Sequence, residues 1–182
     1  SVLRQDPDII MVGEIRDKET AEIAIRAAIT GHFVLSTIHT NDSVSTVSRL
    51  VDMGIEPFMV ASALRCVISQ RLVKRICPEC RATIKVTPAE NLLLKTNLST
   101  AYKGKGCKKC NNTGYQGRTA VYEILLIDGK LQSMIADNAS AESMYKHIAD
   151  NNLRVLKDEV VESIKSGLTT VDEAIKILYT VD

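Results

Sequence analysis

Two short apolar runs stand out in the first quarter of the chain. Residues 9–12 read IIMV, and residues 32–38 read HFVLSTI. Apolar runs of this length, bounded by polar residues or glycine, are typical of strands that are buried on both faces, as in a parallel sheet. We therefore expect two buried strands in this region.

An amphipathic segment separates these runs. Asp17 is a suitable N-cap, and Gly31 follows the expected end of the helix at about Thr30. The apolar residues that recur with helical spacing are Ala21, Ala24, Ile25 and Ala28. A strand, a helix and a strand in this order predict a βαβ unit with a right-handed crossover.

Two more helices are predicted after this unit. The first carries an apolar face that ends before Gly54, and the second begins at Pro57 and extends to about Ser69. The apolar face of the first helix consists of Val44, Val47, Leu50 and Val51. Cys66 falls inside the second helix and is expected to be a small buried residue. Residues 70–76 (QRLVKRI) predict a strand.

The pattern changes between residues 77 and 118, which hold paired cysteines and the turn-rich stretch GKGCKKCNNTGYQGR. Residues 119–127 (TAVYEILLI) return to a strand pattern, and the last third of the chain is helical. Thr170 and Glu173 predict a capping box for the last helix.

Composition excludes some classes of protein. The 182 residues are 45% hydrophobic and 25% charged, which is typical of a globular protein. The net charge of +1 and the aromatic content of 4% argue against a nucleic-acid partner. No apolar run approaches the roughly 18 residues that span a bilayer. The chain begins with Ser1 rather than Met, and we expect it to be a piece of a longer protein.

Four of the five cysteines form two C-x-x-C pairs. Cys77 and Cys80 are followed after 26 residues by Cys107 and Cys110. Four thiolates suit tetrahedral Zn²⁺, and a site with no open position is structural. The gap exceeds the roughly 15–20 residues of compact zinc sites, so a small insertion must lie between the pairs. A redox pair and an iron–sulfur cluster are the alternatives.

Polar side chains follow both predicted strands. Glu14 comes after the first strand and His39 after the second. The carboxyl ends of parallel strands meet at one edge of the sheet, where open α/β sheets bind ligands. Glu14 is therefore a candidate general base or water-positioning group. The alternative is a surface glutamate that pairs with a neighbour such as Arg16, and isolated histidines are usually structural.

Taken together, these segments resemble the type II secretion and type IV pilus assembly ATPases. The resemblance covers almost the whole chain and rests on RQDPDIIMVGEIRDKETAEIAIRAAITGH, STIHTND, DMGIEPFMVASAL, QRLVKRICPEC and GCKKCNNTGYQGRTAVYEIL. Retraction motors of the same superfamily typically lack the tetracysteine insertion, so its presence indicates the assembly or secretion branch. The resemblance does not separate pilus assembly from protein secretion.

The resemblance implies an α/β fold, namely the C-terminal part of a RecA-like P-loop ATPase domain with a tetracysteine zinc insertion and a C-terminal helical subdomain. The implied divisions are residues 1–76 for the ATPase core, 77–118 for the zinc insertion, and 119–182 for the return strand and helices. It also implies a homo-hexamer that binds ATP and Mg²⁺. Such a motor would act in the cytoplasm at the inner face of the cytoplasmic membrane, on an inner-membrane platform protein.

The resemblance also implies roles for single residues. IIMVGEIRD matches the Walker B segment, in which Glu14 polarises the attacking water and Gly13 stands where many P-loop enzymes place a magnesium-linked aspartate. Mg²⁺ must then be held by other groups. TGHFVLSTIHT matches the histidine box, in which His39 approaches the γ-phosphate and His32 is a second candidate. Arg16 would orient Glu14 or contact a neighbouring subunit. The zinc ligands would be Cys77, Cys80, Cys107 and Cys110.

One essential motif of such ATPases is missing. The sequence G-x-x-x-x-G-K-[ST], which cradles the phosphates, does not occur in the 182 residues. The resemblance implies that it precedes Ser1, together with an N-terminal domain and an acidic box. We therefore expect the chain alone to be inactive. The alternatives are a non-catalytic, zinc-containing interaction module and a zinc-dependent nucleic-acid binder, which the near-neutral charge opposes.

Overall fold

The computed structural model describes residues 7–179. The first elements are β1 (Ile9–Val12), α1 (Lys18–Ile29), β2 (Phe33–Ser36), α2 (Ser43–Asp52), α3 (Pro57–Ala63) and β3 (Cys66–Ile76). They are followed by β4 (Arg81–Lys85), α4 (Pro88–Leu94), β5 (Thr100–Gly104), a single 3₁₀ turn (Lys108–Cys110) and β6 (Tyr115–Leu126). The last elements are α5 (Gly129–Ala136), α6 (Ala141–Asp150), α7 (Leu156–Lys165) and α8 (Val171–Tyr179). None of the helices in this part of the chain is both long and apolar enough to cross a membrane.

These elements form two compact units that are interleaved along the chain. The first unit comprises the residues up to Ser69 together with Ile124–Leu153, and the second comprises Gln70–Glu123 and the residues from Arg154 onward. β3 pairs with β6, and each of these strands contributes residues to both units.

A parallel strand pair with a crossover helix is the framework of the first unit. β1 pairs with β2 in parallel, with Met11 opposite Leu35. α1 connects the two strands, and the carboxylate of Asp17 caps this helix by accepting a hydrogen bond from the Thr20 N–H at 2.8 Å. The predicted βαβ order is therefore confirmed.

One face of this strand pair is exposed, and the prediction of strands buried on both faces is wrong for this chain. Ile9, Met11, Phe33 and Leu35 are 62%, 78%, 59% and 43% exposed. Val34 points the other way and lines a cavity with residues of α1. The reason is the small size of the sheet, because one crossover helix cannot cover both faces of two strands.

Helices supply most of the core of the first unit. α1 packs on α3, α3 on α5, and α2 on both α3 and α6. The buried apolar side chains of these helices include Ala21, Ala24, Ile25, Val44, Val47, Leu50, Val60, Leu131, Ile135, Met144 and Ile148. Burying a large apolar side chain stabilises the fold by about 1.5–3 kcal/mol.

α3 is shorter than predicted. It ends at Ala63, not at about Ser69, and Cys66 begins β3 instead. Residues 66–69 alternate between exposed and buried positions, which is the two-residue period of a strand. Cys66 is therefore exposed on a strand, and the prediction of a buried helical cysteine is wrong.

The second unit encloses its own core. β4 and β5 form an antiparallel pair in which Arg81 lies opposite Gly104. The buried cluster beside it consists of Val73, Leu94, Ala101, Val121, Leu156, Val160, Ile164, Val171 and Ala174. The Glu173 N–H donates to Thr170 Oγ1 at 3.2 Å, as the predicted capping box requires, while the Glu173 carboxylate accepts from the Lys74 N–H at 3.3 Å.

Candidate functional site

Glu14 and His39 lie together at the carboxyl edge of the strand pair. Glu14 follows β1, and His39 lies in the loop of residues 37–42 between β2 and α2. The Nε2 atom of His39 is 2.7 Å from the Oε1 atom of Glu14. The parallel strands bring these residues together because both chain segments leave the sheet at the same edge.

This contact is short but is not a well-aligned hydrogen bond. Glu14 Oε1 is buried, yet no donor within residues 7–179 points at it with hydrogen-bond geometry. The His39 ring is near enough, but its N–H direction is poorly aligned with the oxygen. Oε1 therefore keeps a lone pair that can accept a hydrogen bond from another donor.

Arg16 holds the second oxygen of Glu14. Its Nε–H donates to Oε2 at 2.6 Å, and its Nη2 lies 2.6 Å from the same oxygen. The hydrogen bond from Arg16 lowers the pKa of Glu14 below its ordinary value, although partial burial acts in the opposite direction. The positive charges of Arg16 and of a protonated His39 lower it further. Glu14 is therefore ionised at neutral pH.

Thr37 joins the two chain segments of this site, and the sequence alone did not single it out. Its hydroxyl donates to the Gly13 carbonyl oxygen at 2.7 Å, and the Ile15 N–H donates to the Thr37 carbonyl oxygen at 2.8 Å. These bonds connect the residues on both sides of Glu14 to the start of the His39 loop. The available signal was a hydroxyl residue near the end of the second apolar run.

The far end of the His39 loop is held by α2. The hydroxyls of Thr40 and Thr46 are 2.7 Å apart. The carboxylate of Asp42 caps α2 by accepting a hydrogen bond from the Ser45 N–H at 2.8 Å. The loop that carries His39 is therefore attached to secondary structure at both ends.

Two other candidates have different surroundings. The carbonyl of Gly13 accepts the bond from Thr37, and a Cβ atom built on Gly13 meets nothing within 4 Å. His32 lies before β2, at the opposite edge of the strand pair, and its Nδ1 is 3.1 Å from the Ala27 carbonyl oxygen near the end of α1. The fold therefore does not bring His32 to the edge where Glu14 and His39 meet.

The four paired cysteines form a separate cluster in the second unit. Their sulfur atoms all lie within 4.8 Å of one another. The Sγ–Sγ distances are 3.9 Å for Cys77–Cys107, 3.9 Å for Cys80–Cys110 and 3.7 Å for Cys107–Cys110. Tetrahedral Zn²⁺ with Zn–S bonds of about 2.3 Å requires sulfur atoms about 3.8 Å apart. The donor set therefore fits zinc in both chemistry and spacing.

Two glycines allow the cysteine pairs to approach each other. A Cβ atom on Gly104 would lie 2.1 Å from the Gly114 carbonyl oxygen, so no side chain fits there. Gly114 has a φ of 78° and itself passes close to the backbone of Gly104. The Gly114 carbonyl accepts a hydrogen bond from the Cys77 N–H at 2.9 Å, which connects the two C-x-x-C segments.

Burial and backbone hydrogen bonds shift the pKa values of two of these thiols. Burial opposes ionisation of Cys110, but the N–H groups of Cys107 and Gly114 donate to its Sγ at 3.2 and 3.3 Å and lower its pKa to about 6. Burial raises the pKa of Cys80 to about 11. The N–H groups of Cys107 and Gly114 therefore favour the thiolate form of Cys110, which is the form that a metal ion requires.

Comparison with known proteins reveals close relatives. Residues 1–176 match the family model described as "Type II/IV secretion system protein". Type II secretion system ATPase E of Vibrio cholerae is 43% identical over 180 residues, which cover 97% of this chain and 36% of the relative. Type IV pilus assembly ATPase PilB of Myxococcus xanthus is 44% identical over 186 residues, which cover 96% of this chain and 32% of the relative. The chain spans about a third of the length of these curated relatives.

Solved structures share the fold. The pilus retraction motor PilT with bound ADP matches with a TM-score of 0.68 at 27% identity, over 100% of this chain and 42% of that chain. The ATPase DotB of Legionella pneumophila matches with a TM-score of 0.66 at 22% identity, over 97% of this chain and 40% of that chain. The predicted RecA-like α/β fold is therefore confirmed.

Proposed function

This chain belongs to the type II/IV secretion system protein family, and we propose that it supplies the water-orienting part of the ATPase centre of a motor for type II secretion or type IV pilus assembly. The observation that carries this proposal is the 2.7 Å contact between Glu14 and His39 at the carboxyl edge of parallel strands. Open α/β sheets bind ligands at this edge. The names of the relatives support the same activity.

Glu14 would orient the attacking water rather than remove its proton. A general base is most effective when its pKa is near the working pH, whereas the pKa of Glu14 is lowered by Arg16. The Oε1 atom has no aligned donor among residues 7–179, so its lone pair would be available to a water once the site opens to solvent. Phosphoryl transfer depends mainly on such positioning and on charge stabilisation.

His39 and Arg16 would support Glu14 in different ways. The side chain of His39 is 88% exposed, so its imidazole can reach a phosphate group while it contacts Glu14. Arg16 holds Oε2 and so fixes the carboxylate in one orientation. The guanidinium is 75% exposed, and its other N–H groups can contact a neighbouring subunit. His32 would have a structural role at the end of α1.

The phosphate cradle would come from outside these 182 residues, which contain no P-loop motif. The exposed apolar face of β1 and β2 supports this view, because parallel sheets are normally covered on both faces. The complete ATPase would therefore combine this chain with P-loop-bearing polypeptide, and the chain alone would be inactive.

ATP and Mg²⁺ would be cofactors of the complete protein. Mg²⁺ requires oxygen ligands in near-octahedral geometry. Within the described residues, the tetracysteine cluster is the one group of three or more His, Cys, Asp or Glu side chains that could share an ion. The edge at Glu14 and Gly13 does not provide a magnesium site by itself, so the Mg²⁺ ligands would accompany the P-loop.

Zinc would be the structural metal of the cysteine cluster. Cys77, Cys80, Cys107 and Cys110 would hold the ion, and four sulfur ligands leave no open position for catalysis. The ion would keep the two C-x-x-C segments together beside β4 and β5. The fit of the sulfur distances to Zn–S bonds supports zinc over a redox pair.

The proposal also covers the oligomeric state and the cellular location of the complete protein. We place the complete protein in a homo-hexamer in the cytoplasm, at the inner face of the cytoplasmic membrane, where it acts on an inner-membrane platform protein. The support for these statements is the resemblance of the sequence motifs to those of the secretion and pilus assembly ATPases. Residues 77–118 would brace a surface that contacts this machinery.

The decisive experiment is Glu14→Gln in the complete protein that contains this chain. Loss of the carboxylate charge should lower ATP turnover by about 100-fold or more, the size of effect expected when a transition-state interaction is removed. Glu22→Gln is the matched control, because Glu22 lies on α1 and, among the described residues, makes only ion pairs on the helix surface. Unchanged turnover in Glu14→Gln would remove Glu14 from the catalytic role.

A non-catalytic, zinc-containing interaction module is the second candidate, and the absence of a P-loop motif from the chain favours it for the chain alone. Calorimetry of the chain with ATP and Mg²⁺ addresses this point. We expect no binding at micromolar ATP. Micromolar binding accompanied by hydrolysis would show that the chain is active without a P-loop.

A further inference from the structure

Helix α6 contacts the N-caps of two other helices of the first unit. The hydroxyl of Tyr145 donates to Asp42 Oδ1 at 2.8 Å, and Nε2 of His147 lies 3.1 Å from Asp128 Oδ2. Asp42 caps α2, and Asp128 caps α5. Met144 and Ile148 of α6 are buried, which fixes the helix against the core. α6 is therefore a rigid support from which Tyr145 reaches the cap of α2.

Asp42 is also the last residue of the loop that carries His39. Its Oδ1 accepts hydrogen bonds from the Ser45 N–H and from Tyr145, each at 2.8 Å, and its Oδ2 accepts from the Ser45 hydroxyl at 2.8 Å. The bonds from Ser45 come from α2, which directly follows the loop. The bond from Tyr145 comes from a helix that is distant in the sequence.

We propose that Tyr145 is a positioning residue of the hydrolytic centre, because it holds Asp42 and thereby fixes the end of the loop that presents His39 to Glu14. This inference rests on the proposed function of Glu14 and His39. It assigns a role in the ATPase centre to α6, a helix that carries no catalytic motif.

The exposure of His39 explains why the loop needs support. Its side chain is 88% exposed, so few packing contacts hold the ring. The position of the ring beside Glu14 therefore depends on the loop backbone. The start of the loop is fixed by the bond from Thr37 to Gly13, and its end is fixed at Asp42. Release of either end would let the ring move away from Glu14.

The contact of Tyr145 is suited to positioning more than to stability. The residue is 42% exposed, and its bond to Asp42 lies at the surface. Removal of the hydroxyl leaves the ring and the cap from Ser45 in place. Tyr145→Phe should therefore keep the fold while it removes one of the bonds that fix Asp42 and loosens the end of the loop, which separates the two roles experimentally.

The first test measures the site without ATP. The carboxyl carbon of Glu14 is followed by NMR during a pH titration of the chain, together with amide hydrogen exchange in residues 38–42. In Tyr145→Phe we expect the pKa of Glu14 to move upward toward its ordinary value, because His39 contributes to lowering it. We also expect exchange in the loop to become at least about threefold faster, which matches the loss of one surface hydrogen bond.

Tyr122→Phe is the matched control. Tyr122 is a half-exposed tyrosine of β6, and its hydroxyl has no hydrogen-bond partner within residues 7–179. This variant should leave both the Glu14 titration and the loop exchange unchanged. If Tyr145→Phe behaves like this control in both measurements, the inference is overturned.

The second test separates this inference from the proposed function. In the complete protein, Tyr145→Phe should lower kcat for ATP hydrolysis by about 3- to 10-fold with KM unchanged, because positioning acts on the chemical step. Full turnover in Glu14→Gln would overturn the proposed function itself. Inactive Glu14→Gln combined with unchanged kcat in Tyr145→Phe would overturn only the role of Tyr145.

Discussion

The hydroxyl of Thr37 donates a hydrogen bond to the carbonyl oxygen of Gly13 at 2.7 Å. This bond joins the segment that carries Glu14 to the loop that carries His39, just beyond the last paired residues of β1 and β2. We therefore expect the distance between the two candidate catalytic side chains to depend on the backbone of these segments as well as on the side chains themselves. A change at Thr37 tests this relationship directly.

Thr37→Val removes the hydroxyl and keeps the shape of the side chain. We expect the free energy of unfolding to fall by about 0.5–1.5 kcal/mol, the usual net contribution of one hydrogen bond. Urea denaturation measures this change. Thr119→Val is the control, because the Thr119 hydroxyl makes no hydrogen bond within the described residues. Equal stability of wild type and Thr37→Val would mean that the bond does not hold the loop.

The pH dependence of stability reports on Glu14. Its pKa in the folded protein lies below the ordinary value of 4.5, first because Arg16 donates a hydrogen bond to it. A carboxyl group with a lowered folded pKa stabilises the protein above its unfolded pKa, and this contribution is lost as the pH falls through the folded pKa. The stability of wild type relative to Glu14→Gln should therefore be constant above about pH 5 and decrease below it. Thermal midpoints between pH 2 and pH 7 check this expectation, and a difference independent of pH would contradict it.

Two glycine-to-alanine substitutions should change the free energy of unfolding in opposite directions. Gly104→Ala places a Cβ atom 2.1 Å from the Gly114 carbonyl oxygen, so the backbone must move, and we expect a loss of more than about 2 kcal/mol. Gly129→Ala meets nothing within 4 Å at the first position of α5, and we expect a gain of about 0.5–1 kcal/mol. Thermal unfolding of both variants measures the contrast. Similar midpoints would show that the close approach of Gly104 to Gly114 is not maintained.

Removal of the metal should affect the second unit selectively. We expect about one zinc per purified chain. A chelator should speed hydrogen exchange in residues 77–118, because the four sulfur atoms then lose the ion that holds them together. Cys110→Ser should lower the zinc content strongly, whereas Cys66→Ser should not, since Cys66 is an exposed cysteine outside the cluster. Mass spectrometry under native conditions measures the metal. The assignment of zinc would be contradicted if the protein contained iron instead, or if it contained no metal and the cysteines formed a disulfide.

The apolar face of β1 and β2 should bind hydrophobic dyes. Met11 and Leu35 are cross-strand neighbours on this face. The double variant Met11→Glu and Leu35→Lys should reduce the fluorescence of a bound naphthalene-sulfonate dye, because it replaces exposed apolar area with an ion pair. The thermal midpoint should stay within a few degrees. Strong unfolding of this variant would show that the face is buried in the chain in solution.

Much of the first unit could be predicted from the pattern of residues. The cap at Asp17, the end of α1 before Gly31 and the order β1, α1, β2 all follow from local signals. The boundary between α3 and β3 could not be predicted in this way. The apolar residues at the start of β3 fit either state, and the pairing of β3 with β6, a strand distant in the sequence, decides for the strand.

The candidate site, too, could be predicted from the sequence only in part. The proximity of Glu14 and His39 follows from a general property of parallel strands, and the cysteine cluster follows from the C-x-x-C spacing. Thr37 and Tyr145 could not be identified, because a hydroxyl group has no recognisable partner in the sequence. Their partners, Gly13 and Asp42, are close only after the chain has folded.

The sequence by itself determined the family, the α/β class, the four clustered cysteines and the two polar residues at the edge of the sheet. These features depend on residue type, periodicity and spacing, which are local properties of the chain. The tertiary structure alone decided that Cys66 is exposed, that His32 lies away from Glu14, and that the Tyr145 hydroxyl donates to Asp42 at the end of the His39 loop. The physical reason is that burial and hydrogen bonding depend on which distant segments pack together, and their free energy is gained only in the folded chain.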